Sequence, residues 1–447
     1  EILHSIEAGA GAAAEMAEIV STAIVRCHLF TMDRLGIEYD LLPRESEILH
    51  LKFWESAFAT MVERRVIHKA AAGKNAGCWV MKMGTEADEE SAGEAAPGTG
   101  DDSETKIIVR SNGTVTYVGK DIAYQLWKFG LLGKDFHYAR FHQYPRGHHV
   151  WVTQTGPSEL DAPAFGNAAQ VFNVIDSRQA YVQNVVFEAL GALGFQQQKD
   201  QSVHFSYERV TLSPRCATEM GYEISPEDAK KPYVEVSGRK GQGVKADDLL
   251  DQLEANARKE VDTRHPEVAE AERADTAHAI AIGALRFFLL KFTRGTMIAF
   301  DFEEALSFDG ETGPYVQYAV VRARNIFRKL REQEPGFRLD ELSKQVADDM
   351  LAAQLGPPGG NDLWEVLLLA GSLGAQVEIA LSAHEPAFLA KYAFQLAQQF
   401  NMFYHKHHIL SEEDRSKKAF LLLLSDLVER QLVIALRLLG MEAPERM

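Results

Sequence analysis

Apolar residues recur at helical spacing over 12–35, and the pattern stops at Gly36, a residue suited to the left-handed turn that ends a helix. A second stretch, 48–66, sets Leu49, Phe53, Trp54, Phe58 and Met61 along one helical face and predicts another long helix. Strand signals follow. The runs 106–110 (KIIVR) and 114–118 (TVTYV) flank Ser111, Asn112 and Gly113, an Asn-Gly turn that predicts a hairpin. A helix is expected from near Asp121 to Phe129, then an irregular stretch over 142–169, rich in Pro, Gly and His. Next come a strand over 171–175 (VFNVI), a helix over 181–193, and strands at 204–210 (HFSYERV) and 233–237 (YVEVS). A Gly-rich turn then leads into a helix over 246–259. From about Asp275 onward the pattern is almost wholly helical.

Strands that alternate with helices predict an α/β fold with a parallel sheet, and the later all-helical run predicts a second domain of another kind. The change of composition sets the expected boundary near 295–315, giving a catalytic-type portion over 1–300 and a helical domain over 301–447. Of the 447 residues, 46% are hydrophobic and 25% charged, which excludes a globally disordered chain. No apolar run reaches the length of a membrane-spanning helix, so no membrane partner is expected. The opening EILHSIEAGA has no basic segment followed by an apolar one, so no secretory leader is expected. It begins with Glu rather than Met, and a natural start further upstream is the expectation. Cys27, Cys78 and Cys216 lie far apart without a CxxC pair, which argues for the cytoplasm and against a disulfide scaffold or structural zinc. The stretch between Gly84 and Thr105 holds eight acidic residues and no basic one, and reads as a solvated insertion. A net charge of −17 means that a nucleic-acid partner would have to be met by a local basic surface.

Four constellations carry possible chemistry. The run 237–250 (SGRKGQGVKADDLL) follows a strand and opens a helix, with Arg239, Lys240 and Lys245 among three glycines. Backbone N–H groups, a helix N-terminus and those cations suit a phosphate, although the spacing is not that of a Walker A loop and also fits a basic surface turn. Tyr117 and Asp121 stand four apart at a strand-to-helix junction, where they could meet a ligand. Local pattern alone favours Asp121 as a helix cap. The histidine clusters GHHV (147–150) and HKHH (405–408) lack the spacing of HExxH, and the second suits the end of a helix dipole better than a metal. Over 315–331, Arg322, Arg324, Arg328, Lys329 and Arg331 interleave with Tyr315, Tyr318 and Phe327. No acidic residue falls between Glu311 and Glu332, so the run suits an RNA backbone or a solvated helix face.

Together these stretches resemble the class I arginyl-tRNA synthetases. The most specific is 305–329 (ALSFDGETGPYVQYAVVRARNIFRK), similar to the family's signature between catalytic and anticodon-binding domains. IGALRFFLL (282–290), RSNGTVTYVGKDIAY (110–124), NVIDSRQAYVQNVVFEALGALGF (173–195), KKPYVEVSGRKGQGVKADDLL (230–250) and LRLLGMEAPERM (436–447) match in order. The resemblance implies a partial Rossmann-type catalytic domain with insertions near 84–105 and 140–170, followed by a helical anticodon-binding bundle. It implies that Tyr117, Asp121 and Gln179 hold L-arginine, and that Ser237, Gly238, Arg239, Lys240 and Gly241 stand at the KMSKS loop. That loop steadies the phosphates of ATP with Mg²⁺, and Ser237, Arg239 and Lys240 would be its catalytic members. Gly238 occupies the place of the lysine that follows the loop's serine. Tyr315, Gln317, Tyr318, Arg322, Arg324 and Arg328 would meet the arginine tRNA. The family's HIGH motif and N-terminal tRNA-loop-binding domain have no equivalent here and would belong upstream of Glu1. The expected function is ATP-dependent attachment of arginine to its tRNA, by a cytoplasmic monomer. The alternatives are a catalytically defective tRNA-binding paralogue or fragment, and an unrelated enzyme that uses only the Gly-rich turn for its nucleotide.

Overall fold

The first expected helix forms as Ala12–Arg34, and Gly36 takes the positive φ of 66° that its position at the helix end requires. The second expected helix is two, Glu45–His50 and Phe53–Glu63, broken where Lys52 adopts a left-handed conformation. In the computed structural model, residues 11–82, 105–234, 243–356 and 361–447 are described, and the chain divides into two units, Glu1–Tyr207 and Glu208–Met447. The boundary expected at 300/301 falls inside the second unit.

The first unit is mixed α/β, but its expected single sheet is replaced by small ones. Strands Ile67–Lys69, Trp79–Lys82 and Thr105–Val109 form an antiparallel sheet. Strands Val171–Asp176 and Ser202–Tyr207 pair in parallel over six residues, joined through the helix Ala180–Ala192. The stretch 142–169, expected to be irregular, contains strand pairing: His137–Gln143 runs antiparallel to His149–Gln154, which pairs in parallel with Leu41–Leu42. Its buried positions, Val150, Trp151 and Thr153, do not alternate cleanly and lie beside Pro and Gly, which hides the strand from a pattern search. The core gathers Phe53, Met61, Ile108, Ile122, Leu126, Val185 and Leu190. Each such side chain contributes roughly 1.5–3 kcal/mol on burial. Helices Tyr117–Lys128 and Ala180–Ala192 pack on each other through this core.

The second unit opens with a parallel strand pair, Val210–Leu212 with Ile298–Phe300, and is otherwise helical. Helix Ala246–Arg264 packs on Glu270–Leu290 through Leu253, Ala257, Val261, Ala277, Ile280 and Ala284. The helix Gly313–Gln333 starts at Thr312, whose hydroxyl accepts from the Tyr315 amide, with Pro314 in the first turn. Gly283 and Gly313 permit a close crossing: a Cβ at Gly313 would strike the Gly283 carbonyl, and one at Gly283 would strike the Gln317 amide. Helices Ala387–Lys406 and Arg415–Leu438 complete the larger apolar core around Phe400, Val428 and Leu432. No single helix among the described residues is long and apolar enough to cross a membrane.

Candidate functional site

The expected second hairpin strand does not form beyond a single bridge between Val109 and Val115. The chain turns instead into the helix Tyr117–Lys128, four residues earlier than the pattern suggests. Thr116 stands at the N-cap, and its hydroxyl donates to the Ile108 carbonyl at 3.0 Å, tying the helix start to the strand. Asp121 therefore lies inside the helix, and the capping role favoured by local pattern is removed. Tyr117 is 64% exposed. Asp121 follows one turn later on the same face, half-buried, and accepts no hydrogen bond from any described residue. Burial, and then the charge of Glu45, push its carboxyl up to about 6, against the opposing pull of Lys128 and Lys120. A partly desolvated carboxylate without an internal donor suits an incoming cation, and a planar guanidinium most of all.

Tyr117 also lines an open groove of about 440 Å³, with Lys74, Lys106, Arg110 and Tyr181 among its walls. The Lys106 ammonium lies 4.7 Å from the centre of the Tyr181 ring, and burial holds its pKa below the usual lysine range. Gln179 is exposed on the 3₁₀ turn Ser177–Gln179, two residues ahead of Tyr181. The groove thus brings the start of the Tyr117–Lys128 helix next to the start of the Ala180–Ala192 helix, on which Gln179 borders. Sequence reasoning missed Lys74, Lys106 and Tyr181, which no spacing links to Tyr117 along the chain.

Ser237, Gly238, Arg239, Lys240 and Gly241 lie outside the described residues. The helix expected after them does form, as Ala246–Arg264. Of the histidine clusters, His148 pairs with Asp40 at 3.0 Å, while His405 and Lys406 close the Ala387–Lys406 helix. His407 and Lys406 both reach Asp362, at 3.0 and 2.8 Å. Among the described residues no group of three or more His, Cys, Asp or Glu converges as metal ligands do.

The basic run of the helix Gly313–Gln333 divides in two. Gln317 is fully buried, its amide donating to the carbonyls of Ala279 and Glu442, so the expectation that it faces RNA is corrected. Arg324 is likewise turned inward. Its guanidinium meets Glu429 and Glu445, each at 3.1 Å, and the carbonyls of Ala443 and Pro444, fastening the C-terminal segment. Arg322 donates to Asn401 at 2.6 Å and lies between the rings of Tyr318 and Tyr404, while Tyr315 packs against Phe394. Arg328, Lys329 and Arg331 are exposed. Lys329 also lines a groove with Asn325, Tyr404, His405 and His408.

A mixed α/β unit in a chain that ends in an all-helical bundle matches the class I aminoacyl-tRNA synthetase type. The family model of the DALR anticodon binding domain matches residues 316–447. The arginine–tRNA ligase of Deinococcus radiodurans is 33% identical over all of this chain and 67% of its own length. That of Thermococcus sibiricus is 30% identical over all of this chain and 63% of its own. The solved arginyl-tRNA synthetase of Thermus thermophilus superposes with a TM-score of 0.77 at 28% identity, covering all of this chain and 66% of that one. The chain belongs to the arginyl-tRNA synthetase family. It spans about two thirds of the length of these relatives.

Proposed function

We propose that this protein attaches arginine to its tRNA at the expense of ATP, with Asp121 as the acceptor for the substrate guanidinium. The observation that supports this best is the half-buried Asp121 carboxylate, without a hydrogen-bond donor among the described residues and one turn from the exposed Tyr117 ring. A buried acceptor left unmatched is costly, and a bidentate guanidinium repays that cost where a neutral side chain does not. Gln179, two residues ahead of the groove-lining Tyr181, stands toward the amino-acid end of the substrate.

In the reaction, an arginine carboxylate oxygen attacks the α-phosphorus of ATP and pyrophosphate leaves, giving arginyl-adenylate. A ribose hydroxyl of the tRNA 3′ end then attacks the adenylate carbonyl and AMP leaves with the bonding pair. Ser237, Gly238, Arg239, Lys240 and Gly241 cradle the ATP phosphates, and Arg239 and Lys240 neutralise the charge that develops as pyrophosphate departs. Catalysis of this kind rests on positioning and charge. Arginine tRNA is held by the helical bundle through Arg328, supported by Lys329 and Arg331, with the rings and histidines of the adjoining groove beside the phosphate path. The setting is the cytoplasm, and the protein acts as a monomer.

The test is arginine-dependent exchange of pyrophosphate into ATP, with and without arginine tRNA. Exchange that requires arginine and is strengthened by the tRNA supports the reading. Retained tRNA binding with no exchange under either condition would instead favour the binding-only paralogue.

A further inference from the structure

Seven residues beyond Asp121, and so on the same side of its helix, Lys128 places a cation inside the first unit. Its ammonium donates to Asn173 Oδ1 at 2.8 Å and lies 4.7 Å from the centre of the Tyr124 ring, which stacks on Trp127. Asn173 in turn donates to Gln183 Oε1 at 2.8 Å and Gln125 Oε1 at 3.3 Å, and Gln125 donates to Ser202 Oγ at 3.0 Å. Asn173, Gln183 and Gln125 are 7%, 4% and 2% exposed. Such a chain of amides does not neutralise an ammonium. It fixes where the ammonium sits, because each amide is itself locked by the next. The relay supplies geometry, and the nearby carboxylate supplies the opposite charge.

We infer that Lys128 is a positioning residue for the arginine site: held by Asn173 and the Tyr124 ring, its ammonium is the resident counter-charge that keeps the Asp121 carboxylate ionised and ready for a guanidinium. The inference rests on the reading of Asp121 given above. The charges acting on Asp121 are Glu45, from the neighbouring Glu45–His50 helix, and Lys120 and Lys128 from its own. Glu45 is itself paired with Lys120 at 3.0 Å, so those two largely offset one another. From the Val171–Asp176 strand and the Ala180–Ala192 helix, the groups facing Lys128 are the neutral amides of Asn173 and Gln183. Tyr124, whose hydroxyl burial pushes up to about 12, is neutral as well. Lys128 is therefore the buried cation that opposes protonation of Asp121. Burial lowers its own pKa to about 8, with Asp121 acting in the opposite sense, so both groups carry charge near neutral pH.

The test measures L-arginine binding by calorimetry between pH 5.5 and 8.5, for the wild type and for Lys128→Gln, Lys128→Arg and Asp121→Asn, with ATP binding and L-citrulline as controls. The readout is the pH midpoint. A like charge removed from near the guanidinium would strengthen binding, and only below the Lys128 pKa of about 8, whereas loss of the counter-charge weakens binding on the acid side by moving the Asp121 midpoint up. Wild-type binding is expected to fall with a midpoint near 6. Lys128→Gln moves that midpoint up by about one unit, so its loss of affinity between pH 8.5 and 6.5 is about threefold larger than the wild type's. Lys128→Arg keeps the wild-type midpoint, and ATP binding is unchanged throughout. If the glutamine variant does not fold, Lys128→Met, which suits the wall of Tyr124 and Trp127, replaces it with the same expectation. A midpoint unmoved in the folded neutral variants, while Asp121→Asn abolishes binding, overturns the role of Lys128 alone. Wild-type arginine affinity in Asp121→Asn overturns the reading beneath it as well.

Discussion

Replacing Asp121 by Asn keeps the size and polarity of the side chain and removes the charge, and its two consequences should have opposite signs. A hydrogen bond to a charged group is worth about 1.5–3 kcal/mol, so L-arginine affinity should fall by about 10- to 150-fold. Stability should rise. The folded-state pKa is raised to about 6 from 3.8, so the native protein binds the proton more tightly than the unfolded chain does. Stability therefore declines as pH climbs through that window, and the full penalty is present above it. That rise, discounted for the solvent that still reaches this half-buried group, gives a penalty of about 1–2 kcal/mol. Asn removes the penalty, raising the Tm of a unit this size by about 2–8 °C at pH 8 and leaving it nearly unchanged below about pH 4. Calorimetric titration with L-arginine and thermal melts at the two pH values read both effects. Unchanged affinity with a lowered Tm at pH 8 would mean that Asp121 serves the fold and not the substrate.

Three further expectations follow from the same geometry. Gly283→Ala drives a methyl group into the Gln317 amide and should destabilise the second unit by about 1–3 kcal/mol, seen as a lower denaturant midpoint; an unchanged midpoint would show that the helices do not cross so closely. Alanine at Arg239 and Lys240 together should depress pyrophosphate exchange far more than arginine binding, because those cations act as the phosphates depart; equal losses would argue against the assignment. Alanine at Arg328 and Lys329 should weaken tRNA binding and flatten its log–log salt dependence by roughly 0.7–0.9 for each phosphate no longer neutralised, whereas Arg324→Ala should lower the Tm and leave that slope alone.

The sequence shows which residues are present far more clearly than which way they point. Tyr117 and Asp121 are legible as a pair because their spacing of four survives whether the junction is read as strand or helix. The exact start of the helix was not legible, since Val115 and Tyr117 look like strand residues and only the bridge to Val109 shows where pairing stops. Lys128 could have been found from its position seven residues past Asp121, but its meaning depends on Asn173 and Gln183, which arrive from distant elements. Arg324 and Arg328 are a single helical turn apart and chemically identical in sequence. One fastens the C-terminal segment and the other is exposed, a difference set by the acceptors at Glu429, Ala443 and Pro444. Apart from the strand Ile298–Phe300, the helical end of the chain was legible, because amphipathic periodicity is a local property and tertiary packing reinforced it. The parallel sheet was less so: alternating elements predict strands, but not that they divide into small separate sheets.

The most direct test of the central claim is aminoacylation itself: the protein with ATP, Mg²⁺ and total tRNA, offered each radiolabelled amino acid in turn. Acid-precipitable label is expected with arginine alone, carried on arginine tRNA and lost in Asp121→Asn at subsaturating arginine. Label from a different amino acid, or full arginine charging by Asp121→Asn at the same low arginine concentration, would contradict it.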